Sequence, residues 1–166
     1  MLSKMKPFFP IILAFLLAAT NADPFLGIWK LNFQKSKLPG KDVQSQIFSI
    51  VIVPEGQLNL IESMGVNGKT ASMQYITNLD GRDAPVLGMP GTPTVAVKMT
   101  GIRSREAVWK NDGKVFQKTN STISKDGKTW TIELQSFNPQ GQPAGGPRVF
   151  IYERQASNVV AHGSSH

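Results

Sequence analysis

Phe25-Leu26-Gly27-Ile28-Trp29-Lys30-Leu31-Asn32-Phe33 is the stretch whose reading decides the fold of this chain. It sets a Gly-x-Trp on an apolar, strand-like run, and Gln34 to Gly40 follows as a loop rich in Lys, Pro and Gly. Everything after it reads as short strands separated by tight turns. No segment of helical period competes with them outside residues 1–22.

Those first residues read as a secretory signal peptide. Lys4 and Lys6 form a basic start, Pro7 to Ala19 is almost wholly apolar, and Thr20-Asn21-Ala22 places small residues before a cleavage point. The apolar run is short for a membrane span, with an uncleaved N-terminal anchor as the rival reading. Cleavage after Ala22 leaves no membrane span, and the product is expected to be a soluble monomer, secreted or periplasmic. The chain has 166 residues and no cysteine. That length suits one domain, and the missing thiols exclude disulfides, thiolate metal sites and a Cys nucleophile. A disulfide-free exported protein fits a bacterial periplasm better than an animal extracellular space. The formal charge of +7 is spread among acidic residues, so it reads as a solvated surface. Without a basic stripe, nucleic acid is not an expected partner.

Along the chain, Gln44 to Val53 carries apolar residues on both faces of its second half, which fits a strand buried on both sides. Pro54-Glu55-Gly56 stops it. Leu58 to Val66 and Thr70 to Leu79 are joined by Asn67-Gly68, a strong hairpin signal. Asp80-Gly81 reads as the next turn, followed by a very short strand near Ala84 to Leu87 and a loop with Pro90 and Pro93. Thr94 to Thr100, Ile102 to Lys110, Lys114 to Ser124, Lys128 to Phe137 and Arg148 to Arg154 complete the set. The expectation is all-β: an antiparallel up-and-down barrel of eight to ten strands over residues 23–155, with 156–166 as a flexible tail.

Gly27-x-Trp29 resembles the opening signature of the lipocalin and fatty-acid-binding (calycin) superfamily. The resemblance implies that Trp29 packs in the barrel base with Arg154, or else Arg148, across it. It departs in one respect, because Ser36 to Val43 is too short for the helix pair that fatty-acid-binding proteins insert there. Closer still is a mostly uncharacterised family of exported bacterial lipocalin-like proteins. The chain is similar to it at Gly27-Ile28-Trp29-Lys30-Leu31-Asn32, at Lys35-Ser36-Lys37-Leu38-Pro39-Gly40, at Asp80 to Gly88, at Ser124 to Thr129 and at Ile151-Tyr152-Glu153-Arg154-Gln155. The family implies a fold and no established activity.

Candidate chemistry is sparse. His162 and His166 both lie in the tail, where no supporting contacts hold a side chain. Neither a catalytic site nor a metal or cofactor site is expected, and the chain does not read as an enzyme. Asp80 and Asp83 could form a cation site or an acid/base pair, although turn chemistry accounts for them more simply, and Asp112 and Asp126 precede turn glycines. The stronger candidates are interior side chains. Arg148, Phe150, Tyr152 and Arg154 share a face by period two, as do Arg103, Arg105, Ala107 and Trp109. If these faces point inward, Arg105 can bind an anionic head group, with Met73, Tyr75, Met99, Trp109 and Tyr152 lining a cavity for a small lipophilic or amphipathic molecule. Gly27, Trp29 and Arg154 then have structural roles. The alternative is a filled barrel with no small-molecule ligand, acting at the envelope or through protein contacts.

Overall fold

A computed structural model describes residues 23–40 and 43–156. The leader of residues 1–22, its cleavage point after Ala22, and residues 157–166 with both histidines lie outside the described residues. Among those described there is no helix, and therefore none long and apolar enough to cross a membrane.

Ten strands follow one another: β1 (Gly27–Leu31), β2 (Val43–Val53), β3 (Gly56–Gly65), β4 (Thr70–Thr77), β5 (Asp80–Pro85), β6 (Pro93–Gly101), β7 (Ser104–Asn111), β8 (Lys114–Ile123), β9 (Thr129–Phe137) and β10 (Pro143–Arg154). They form one antiparallel sheet in the order β4-β3-β2-β1-β10-β9-β8-β7-β6-β5, a nearly closed barrel. The architecture is compatible with a lipocalin-like fold. Apart from β4 and β5, sequence neighbours pair as hairpins, and β1 also pairs with β10, Trp29 opposite Arg154 and Leu31 opposite Tyr152. The seam lies between β4 and β5, where an isolated bridge joins Gln74 to Leu87 through backbone bonds of 3.0 and 2.9 Å.

Local chemistry sets the turns. Asp112 and Gly113 both take positive φ between the paired residues Asn111 and Lys114, a two-residue hairpin loop whose twist matches the flanking strands. Three boundaries differ from the sequence expectation. Gly56 opens β3 rather than ending β2, because Pro54-Glu55 alone makes that turn. Asp80-Gly81 lies inside β5, at an irregularity between Asp80 and Asp83, and the turn is one step earlier at Asn78-Leu79. Strand β10 begins at Pro143, inside the expected loop, and carries a bulge between Ala144 and Arg148.

β2 also departs from expectation. Phe48 and Ile50 are buried, while Val51 and Ile52 are exposed. A single-layer barrel has one packed face and one wet face, so a doubly apolar strand leaves half of its side chains outside.

One end of the barrel is closed by aromatic rings. Phe25, Trp29 and Trp130 are fully buried, and Trp130 meets Phe25 and Trp29 edge-on, each at 5.7 Å between centroids. The Trp29 indole donates to the Phe25 carbonyl at 2.9 Å. Arg154 covers the Trp29 ring at 4.1 Å and donates to the carbonyls of Gly127, Leu26 and Pro24. Gly27 makes room for it: its φ is +121°, and a Cβ there would stand 2.7 Å from Arg154 Nη1. Truncating such a ring leaves a cavity among rigid neighbours, so Trp29→Ala is expected to cost ~3–5 kcal/mol in equilibrium denaturation. A loss under about 1 kcal/mol would show that the ring does not hold the floor.

Candidate functional site

Period two sends alternate side chains of every strand inward, and above the aromatic floor they leave a cavity of about 220 Å³. Its wall combines apolar residues such as Ile61, Met73, Ile132 and Phe150 with a few polar groups. Of the candidates read from the sequence, Met73, Tyr75, Arg105, Trp109 and Tyr152 line this one space. Met99 does not. It sits opposite Arg105 in the β6–β7 register, half-buried against the core beyond the cavity lining. Arg103 shares the parity of Arg105 but falls in the exposed turn before β7, where the strand pattern no longer applies.

Arg105 is the group that sets the electrostatics. It is 4% exposed, and its guanidinium stacks over Phe25 at 4.2 Å and Trp130 at 4.9 Å. Among the described residues it donates one side-chain hydrogen bond, Nη1 to Gln57 Oε1 at 3.1 Å, and no carboxylate is within ion-pair distance. Gln57 in turn donates to Asp23 Oδ2 at 2.8 Å. Burial pushes the Arg105 guanidinium down, while Tyr75 and Asp23 push it back up. A guanidinium stays protonated under such pressures, so the cavity holds a fixed cation with donors to spare.

Other polar groups belong to residues of the same wall. The indole N–H groups of Trp109 and Trp130 are buried without a partner, and both rings line the cavity. Tyr152 donates to Gln46 Oε1, and Gln46 donates to Ser63 Oγ at 2.9 Å. A second cation, Arg148, is half-buried at the margin and donates to Ser136 Oγ at 2.9 Å. Among the described residues, no acidic residue, histidine or lysine lines the cavity. It is therefore rich in donors, positively charged and mostly apolar.

The carboxylates of the sequence reading lie elsewhere. Asp80 accepts from the backbone N–H and Nε of its neighbour Arg82, and Asp83 pairs with Lys110 at 2.8 Å, both at the surface. Asp126 caps its own turn through Lys128 N–H and Ser124 Oγ. Among the described residues no three His, Asp or Glu side chains are grouped to hold a metal ion. Sequence reasoning passed over Trp130, whose ring touches Phe25, Trp29, Phe48, Tyr152 and Arg105. Its signal was present: Trp130, Ile132 and Leu134 form a period-two apolar face on β9. The chain matches no protein-family model and no curated protein.

The two cavity tyrosines predict an alkaline limit. Burial raises both phenols above their ordinary 10, opposed at Tyr75 by the Arg105 charge and reinforced at Tyr152 by Tyr75. The unfolded chain thus ionises first. The contribution is complete below about pH 10 and is lost as pH rises beyond it, at up to ~1.4 kcal/mol per pH unit for each tyrosine. Urea midpoints across this range should fall in the parent protein, and Tyr152→Phe should flatten the decline. An equal slope in the variant would refute the assignment.

Proposed function

We propose that the protein is an exported lipocalin-like carrier that holds a small amphipathic anion inside its barrel, and that it is not an enzyme. One observation carries this: among the described residues, two arginines and no acidic group line a mostly apolar cavity. Burying a guanidinium without a carboxylate costs several kcal/mol, and a bound anion recovers part of that cost.

Size narrows the class. About 220 Å³ is below the ~300–1,000 Å³ of pockets for drug-sized ligands, which favours a short acyl or compact aromatic body over a long-chain lipid. The same empty space weighs against the filled-barrel alternative. Among the described residues the wall offers hydroxyls but no histidine, lysine or carboxylate to activate them, and binding without turnover is the reading these side chains favour.

Native mass spectrometry of the gently purified protein is expected to show a co-purifying small acid, and calorimetry is expected to detect decanoate binding. Arg105→Met keeps the bulk and removes the charge. It should weaken decanoate by about tenfold or more while leaving stability unchanged or higher. Absence of both a bound species and decanoate binding, or an unchanged affinity in the variant, would rule the proposal out.

A further inference from the structure

Building on the anion-binding reading, we propose that the ligand carries two anionic groups, one at each end of a short apolar body. Arg105 takes one at the floor, and Arg148 takes the other at the cavity margin.

The two cations occupy opposite ends of one space. Arg105 rests on Phe25 and Trp130, two of the rings that close the barrel. Trp130 is in register with Tyr152, and Arg148 lies four residues back along β10 from Tyr152. At strand rise this is about 13 Å of backbone. Phe150 and Ile132 pair across the interval and present an apolar wall between the two charges.

Arg148 also faces outward. It lines both the cavity and a groove outside it that includes Lys37, Pro39, Ser136 and the segment Ala144 to Pro147. That segment is the β10 bulge, where Gly145 takes φ of +69° and the ladder skips from Ala144 to Arg148. A bulge re-aims the side chain that follows it, and here it sets a guanidinium across the boundary between interior and groove. The side-chain partner of Arg148 is the neutral Ser136 hydroxyl, so its charge is unmatched by any carboxylate among the described residues. A monoanion held at Arg105 leaves the half-buried Arg148 guanidinium at the cavity margin with the Ser136 hydroxyl as its side-chain partner among the described residues. A dianion neutralises both guanidinium groups.

The probes are the straight-chain α,ω-dicarboxylates from hexanedioate to dodecanedioate, each against the monoacid of equal length, titrated calorimetrically into the purified protein. At the best-fitting length the diacid should bind about tenfold tighter or more than its monoacid. Arg148→Gln should erase that preference, bringing the diacid to the affinity of its own monoacid, whereas Arg148→Lys should retain it. Thermal denaturation of each variant establishes that it is folded. Monoacid binding with no diacid preference, or a preference that survives Arg148→Gln, overturns the two-headed ligand while leaving the anion carrier intact. Failure of both acid series to bind overturns the anion carrier itself, and this inference with it.

Discussion

The closed end of the barrel depends on Arg154. Its guanidinium gathers three backbone carbonyls, from Pro24, Leu26 and Gly127, and lies flat on Trp29. Charge-assisted hydrogen bonds contribute ~1.5–3 kcal/mol each, against ~0.5–2 for the cation–π contact, so the carbonyls account for the larger part of the clamp. They also tie the segment before β1 to the last strand. Without that tie, Phe25 would have no fixed position as a plug, and the floor under the cavity would be incomplete. Gly27 is the corresponding backbone requirement, since any side chain there meets the guanidinium.

The second arginine layer is organised on the opposite principle. Arg154 is covered by acceptors, while Arg105 is buried among rings and one amide. Both are cations near Trp29 and Trp130, yet one is satisfied by the fold and the other is left with donors facing an empty volume. Structural arginines close networks. An arginine that is buried, rigidly stacked and short of acceptors lowers stability unless something else binds it. The same contrast separates the Trp29 indole, bonded to Phe25, from the Trp109 and Trp130 indoles, which are not bonded.

Much of this was legible before any coordinates. Period-two faces and turn residues point to all ten strands, with the starts of β5 and β10 displaced most, and parity together with side-chain type points to Tyr75, Arg105, Trp109 and Tyr152. The errors have physical causes. Met99 has the right parity but lies toward the closed end, and parity carries no information about depth. Val51 and Ile52 were read as buried because hydrophobicity along a strand does not reveal whether a second layer covers it. Period two puts Arg148 on one face with Phe150, Tyr152 and Arg154, but the bulge that turns it toward both cavity and groove depends on β9 pairing that no local pattern encodes.

The amino-acid sequence by itself determined the elements and the class: alternation of apolar residues, positive-φ turn residues and the Gly27-x-Trp29 run are local properties with local causes. Tertiary structure decided the site. Arg105, Trp130 and Arg148 come from three different strands, and their meeting depends on strand register, on the closing pair of β1 with β10, and on the stagger around the barrel. The register comes from ladder bonds between β7, β8, β9 and β10, and the closing pair from segments more than a hundred residues apart, with Trp29 opposite Arg154. Only the nearly closed sheet turns ten amphipathic strands into one positively charged cavity.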